Sequence, residues 1–212
     1  DPACGCGNFL VITYRELRLL ELEILRSLHK HGQQVLDIES IIWLDVDMMH
    51  GIEYEEFPAR IAEVAMWLID HQMNMLISNE FGQYFARLPL KKSAKIIHGN
   101  ALQTDWETVV AKNELSYILG NPPFLGKSNQ NAEQKADMEK VFAGYKGCGV
   151  LDYVAAWYLK AAQFIQNTTI KAAFVSTNSI AQGEQVGILW NILFNQYKIK
   201  IHFAHQTFSW KN

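Results

Sequence analysis

The sequence predicts an α/β fold, a mostly parallel sheet with helices on both faces. Two observations predict it. Short apolar runs alternate with longer stretches of helical periodicity along the 212 residues. Four successive expected strand ends also carry a polar or glycine-rich tag: the opening Asp1–Gly7, then Glu53, Asn100 and Asn121. Parallel sheets bind ligands at the carboxyl ends of their strands, so the tags mark one functional edge. With 49% apolar and 19% charged residues, the chain suits one domain with a sizeable core.

Each element follows from its local pattern. Residues 9–30 read as a long helix, with Leu17, Leu20, Ile24, Leu25 and Leu28 at helical spacing and Gly32 ending it. Residues 40–53 hold an apolar stretch that ends as a strand at Gly51-Ile52-Glu53. A second helix spans 57–77, with Pro58 in its first turn and Ile61, Val64, Ala65, Leu68, Ile69 and Met73 as its buried face. Lys95–His98 is a short strand, and Thr104-x-x-Glu107 has the form of a capping box. Leu115–Leu119 is the next strand. It runs into Asn121-Pro122-Pro123, where two prolines forbid helix or central strand and leave a stiff extended loop. Residues 126–150 are polar, with Glu133–Phe142 helical, and form the best candidate for a mobile loop. A helix over 153–165, a strand over 170–176, a helix over 186–197 and a strand over 199–204 complete the alternation.

Charge and composition exclude several classes. The net charge is −3 and the isoelectric point about 6.2. A free-standing DNA-binding module is usually basic, so strong autonomous DNA binding is not expected. No apolar run reaches the roughly 18 residues of a membrane span. The chain opens on Asp1 without a signal segment, which predicts a cytoplasmic protein. The opening loop ordinarily follows a strand, so the chain reads as a fragment cut at that loop. Three cysteines, Cys4, Cys6 and Cys148, argue against a disulfide framework, and no metal site is expected.

The tags carry chemistry. Gly5 and Gly7 allow close backbone approach to a ligand ahead of a helix start with free N–H groups. Leu10 stands where a pyrophosphate-binding loop needs its third glycine, so a dinucleotide is disfavoured. Asp1 suits a cationic ligand, such as the α-amino group of a methionine moiety. Glu53 is placed to accept both hydroxyls of a ribose, and Asn100 to meet an adenine edge. In Asn121-Pro122-Pro123-Phe124, the Asn121 side-chain oxygen and the Pro122 carbonyl can bind the hydrogens of an amine and leave its lone pair free. The prolines preorganise that geometry, and Phe124 offers a face for stacking a base.

These tags, in this order, resemble the gamma-type DNA adenine-N6 methyltransferases. Longer stretches narrow the resemblance. Gly51–Arg60, Gly120–Lys127, Ser176–Ile180 with Gly183-Glu184-Gln185, and Phe203–Phe208 are similar to the methyltransferase part of the MmeI-like restriction–modification proteins. The resemblance implies a Rossmann-like fold dependent on S-adenosylmethionine, with residues 1–212 as the catalytic domain. Asp1, Ala3, Gly5, Gly7, Glu53, Tyr54 and Asn100 would line the cofactor site. Asn121, Pro122 and Phe124 would hold the target adenine, and Phe208 would help stack the flipped base. Cys6 stands where serine is usual in this loop, and Asn100 where aspartate is common in the wider group. The family further implies double-stranded DNA as partner. It also implies a nuclease domain before the catalytic part and a recognition domain after it in the same parent chain.

Two other readings fit the residues. The Asn-Pro-Pro tag also suits methylation of a protein glutamine or another amide, and the lost strand suits a non-catalytic cofactor-binding fragment.

Overall fold

The computed structural model describes residues 1–29, 40–82 and 92–205, in two compact units, Asp1–Ala101 and Leu102–Asn212. Both strand pairs, one in each unit, are parallel, and helices lie between the paired strands in sequence.

In the first unit, α1 (Asn8–His29) is followed by β1 (His50–Glu53), α2 (Glu56–Phe81) and β2 (Lys95–His98). β1 and β2 pair in register from His50 opposite Lys95 to Glu53 opposite His98. The expected strand over 40–53 is thus its last four residues. Asp45 caps a single 3-10 turn at Val46–Met48 just before it. Gly82, in the left-handed conformation at φ +63°, ends α2.

The core of this unit is Leu10 and Tyr14 of α1 against Ala59, Ala62, Met66, Ile69 and Met73 of α2, with Cys4 and Ile96 beneath. This corrects the sequence reading of the buried face of α2. Of the expected α2 face, Ile69 and Met73 are buried, whereas Ile61, Val64 and Leu68 are exposed. In α1, Leu25 is buried but Leu20, Ile24 and Leu28 are exposed. Small Ala59 and Ala62 sit inside instead, and the glycine loop passes directly over Ala62. A Cβ on Gly7 would lie 3.1 Å from the Ala62 Cβ.

A buried polar lattice joins the helices. Arg18 is 1% exposed and donates to the Leu44 carbonyl at 2.6 Å and the Asn74 Oδ1 at 2.9 Å. Tyr14 donates to Asp70 at 2.7 Å, and Asn74 donates to the other oxygen of Asp70 at 3.1 Å. Glu21 accepts from the backbone N–H groups of Trp43 and Leu44. The lattice therefore holds the chain that leads into β1, with Arg18 Nε and Glu21 Oε2 facing each other as a buried ion pair at 3.6 Å.

In the second unit, β3 (Tyr117–Gly120) is followed by α3 (Ala132–Val141), α4 (Ala155–Phe164), β4 (Lys171–Phe174) and α5 (Gln185–Asn191). β3 and β4 pair from Tyr117 opposite Lys171 to Gly120 opposite Phe174. α5 continues as a π-helical turn over Ile192–Gln196. The expected strand over 199–204 does not form; those residues have no regular structure and most are exposed. The expected capping box at Thr104 also shifts. Asp105 caps a 3-10 turn at Trp106–Thr108 by accepting from the Glu107 N–H.

The segment 126–150 is packed rather than loose. Asn131 and Gln134 form a reciprocal capping box on α3. Gln130, Asp137, Met138 and Phe142 are buried, and Asp137 accepts from Tyr153 and Gln103, both at 2.9 Å.

Candidate functional site

The seven residues expected around a cofactor fall in the first unit, in the loop before α1 and at the carboxyl ends of β1 and β2. The opening loop runs alongside β1: the Ile52 N–H donates to the Asp1 carbonyl at 2.9 Å, and the Cys4 N–H to the Ile52 carbonyl at 3.1 Å. The Asp1 carboxylate accepts from the Ala3 N–H at 3.0 Å, which folds the turn. Gly5 and Gly7 have φ of +54° and +86°, the left-handed region that glycine enters without strain. Gly7 is also the last residue before α1, and its carbonyl takes the first helical hydrogen bond, from the Val11 N–H.

Glu53 links this loop to the sheet. One carboxylate oxygen accepts from the Gly5 N–H at 2.7 Å and the other from the Glu55 N–H at 3.0 Å. A carboxylate has about four acceptor positions, so capacity for further donors remains. The Glu53 carbonyl accepts from the Gly99 N–H at 2.8 Å, which sets Asn100 just past β2 beside the same edge. Tyr54 follows β1 and is about half exposed. Gly51 had drawn no attention as a packing residue. A Cβ there would come 2.8 Å from the Cys4 sulfur, so only glycine lets the loop lie this close to β1.

Cys4 is buried, and that burial pushes its thiol up to about 11, keeping it neutral. Cys6 is exposed. Among the described residues, no three His, Cys, Asp or Glu side chains come together to hold a metal ion, and no helix is long and apolar enough to cross a membrane.

Asn121, Pro122 and Phe124 lie in the second unit, directly after β3. The Val175 N–H donates to the Gly120 carbonyl at 2.9 Å, extending the strand pairing to the brink of this turn. Pro122 is buried, Phe124 half-buried and Asn121 exposed. No hydrogen bond among the described residues engages the Asn121 side chain. Its amide oxygen is thus an acceptor open to a ligand, on a turn stiffened by two prolines. Phe208 lies outside the described residues.

Sequence reasoning missed one cluster next to this turn. Asp152, at the entrance to α4, accepts from Gln185 at 2.9 Å and from the Ser179 hydroxyl. Ser179 and Gln185 belong to a conspicuous tract, but Asp152 was not singled out. Its position between a glycine-containing turn and an apolar helix was the available signal.

The model of the MmeI DNA-methyltransferase domain family matches residues 1–212. DNA methyltransferase A of Bacillus subtilis (strain 168) is 42% identical over 215 residues, covering 100% of this chain and 24% of that protein. A solved structure of the type IIL restriction–modification enzyme MmeI in complex with DNA is 64% identical, with a TM-score of 0.93, over 100% of this chain and 28% of that one. The chain thus spans about a quarter of the length of each. With the glycine loop ahead of α1, the acidic residue at the end of β1 and the Asn-Pro-Pro-Phe turn after β3, this chain belongs to the MmeI DNA-methyltransferase domain family.

Proposed function

We propose that residues 1–212 form the catalytic core of a site-specific DNA adenine methyltransferase of a restriction–modification system, moving a methyl group from S-adenosylmethionine to adenine N6. The observation that carries this reading is the Asn121-Pro122-Pro123-Phe124 turn at the end of β3, with its exposed, unbonded asparagine amide. The parallel strand pairs support a Rossmann-like methyltransferase fold.

The residues present fit the cofactor. Two left-handed glycines ahead of a helix N-terminus give close backbone access. Glu53 keeps acceptor capacity for ribose hydroxyls, and Asp1, Ala3, Tyr54 and Asn100 share its strand edge. When bound, S-adenosylmethionine supplies an electrophilic methyl group. The chain's own part is to orient the amine. The Asn121 Oδ1 and the Pro122 carbonyl accept its two hydrogens, which raises electron density on nitrogen and aims the lone pair. Phe124 stacks on the base. An adenine in duplex DNA must first leave the stack to reach such a turn. The solved relative was captured with DNA, which supports DNA as the partner here. At a net charge of −3, we assign most of the grip on DNA to other parts of the longer protein.

The test uses the complete polypeptide with labelled S-adenosylmethionine and mixed genomic DNA, digested to nucleosides. Label in N6-methyladenine is expected. Label in peptide amides with none in DNA overturns this reading in favour of a protein methyltransferase. Cofactor binding without transfer to either makes the chain a binding domain only.

A further inference from the structure

The target turn is held from both sides. Upstream, β3 pairs with β4 as far as the Gly120 carbonyl. Downstream, the Leu125 carbonyl accepts from the Tyr153 N–H at 2.8 Å and from Gln130 Nε2 at 3.2 Å. The same Gln130 nitrogen donates to the Leu151 carbonyl at 3.1 Å. Leu151 and Tyr153 flank Asp152, so the chain around Asp152 sets where Leu125 lies.

Asp152 is in turn fixed by the loop after β4. Its Oδ2 accepts from the Ser179 hydroxyl and from Gln185 Nε2, the latter at 2.9 Å. Gln185 closes the ring: its Oε1 accepts from the Asp152 N–H at 3.1 Å, and its Nε2 also donates to the Ser179 carbonyl at 2.9 Å. The Thr177 and Ser179 hydroxyls bond at 2.5 Å. The Asp152 Oδ1 lies against the target segment, since a Cβ on Gly126 would come 3.5 Å from it.

We propose that Asp152, clamped by Ser179 and Gln185, is a positioning residue that sets the geometry of the Asn121–Phe124 turn. The inference rests on the reading of Asn121 as acceptor for the attacking amine. Two prolines make that turn stiff, so a displacement at Leu125 passes to Asn121 instead of being absorbed. Methyl transfer depends steeply on alignment, and a misplacement of about 1 Å can cost about 10²-fold in rate. Stability is a weak reason for such a cluster. Asp152 and Ser179 are only half-buried, so water competes for both groups and lowers the about 1.5–3 kcal/mol that a hydrogen bond to a carboxylate can contribute.

The mechanism is geometric, not ionic, and this gives a discriminating test. Both side-chain donors converge on Oδ2. An asparagine can keep its oxygen there and place its amide nitrogen toward Gly126. In the complete polypeptide, single-turnover methyl transfer to DNA is measured with labelled S-adenosylmethionine, alongside cofactor Kd and thermal midpoint. Asp152→Ala is expected to slow transfer about 10²-fold with cofactor Kd unchanged within about threefold, and Ser179→Ala about 10-fold. Asp152→Asn should recover most of the rate. If Asp152→Ala does not fold, Ser179→Ala and Asp152→Asn carry the test. A wild-type transfer rate in Ser179→Ala overturns the assignment. So does a parallel loss of rate, cofactor affinity and midpoint in the Asn variant. Asn121→Ala runs beside them. Its loss of transfer with Asp152→Ala fully active overturns the Asp152 assignment alone, whereas full activity in Asn121→Ala overturns both readings.

Discussion

Gly5 and Gly7 lie two residues apart in one loop, and their substitution by alanine should have opposite consequences. At Gly7 the φ of +86° already strains an L-residue by about 1–2 kcal/mol. The new methyl would also sit 3.1 Å from the Ala62 Cβ and 3.2 Å from its Cα. Neither atom can swing away, because Ala62 is fully buried in the second turn of α2. Overpacking of this kind costs about 1–3 kcal/mol, so Gly7→Ala should lose about 2–5 kcal/mol in total. At Gly5, with φ +54°, an added Cβ meets nothing within 4 Å, and only the conformational cost of about 1–2 kcal/mol applies. That methyl instead projects where a ligand would approach. Urea unfolding followed by circular dichroism measures the first effect, and calorimetric titration with S-adenosylmethionine the second. Gly7→Ala should shift the unfolding midpoint far more than Gly5→Ala, while Gly5→Ala should weaken cofactor binding in a protein that remains folded. Equal midpoint shifts would refute the packing argument, and unchanged cofactor affinity in Gly5→Ala would refute the placement of the ligand.

Further outcomes follow from other sites. Asn121→Ala removes one of two acceptors proposed for the amine and should lower the transfer rate about 10²-fold or more in a rapid-quench assay, with cofactor affinity nearly intact. Arg18→Ala removes the donor to the Leu44 carbonyl and the Asn74 Oδ1 and leaves the buried Glu21 without the guanidinium 3.6 Å away, and should cost about 3–5 kcal/mol by denaturant titration; Arg18→Met, which fills the space, should cost less. Lys160 donates to the carbonyls of Leu102 and Thr104. Burial pushes its ammonium down to about 8, with Lys140 adding to the shift and Asp105 and Asp137 opposing it. Its folded value lies below the unfolded one, so the unfolded chain binds more protons between about pH 8 and pH 10.5. Across that window stability should rise relative to Lys160→Met, and parallel pH profiles of urea midpoint would exclude the shift.

The functional edge was more legible than the packing behind it. Strand ends can be read because turn and ligand chemistry restrict the residue type: glycine where φ is positive, proline where the chain is stiff, carboxylate where donors converge. Glu53, Gly5, Gly7 and Asn121 are proposed for those reasons. The buried face of α2 was misjudged because hydrophobicity was taken as the guide. The buried face of α2 instead holds small Ala59 and Ala62, the latter under the glycine loop, while larger Ile61, Val64 and Leu68 face outward. Arg18, Glu21, Asp70 and Asn74 were passed over because charged helix residues ordinarily face water. Their spacing, Arg18 to Glu21 and Asp70 to Asn74, was a visible sign of a lattice between two helices. The absent strand over 199–204 was proposed from alternation alone, without any partner named for it. The Asp152 cluster needs three separate segments to converge, and no local pattern encodes that.

The Glu53 carboxylate has a thermodynamic consequence. Its hydrogen bonds to Gly5 and Glu55 tie the glycine loop to the end of β1. The loop is thereby ordered as part of folding, and a ligand meets a surface whose conformational entropy has already been given up. Association should then be governed by diffusional encounter, and differences in affinity among ligand analogues should appear mainly in how fast each one leaves.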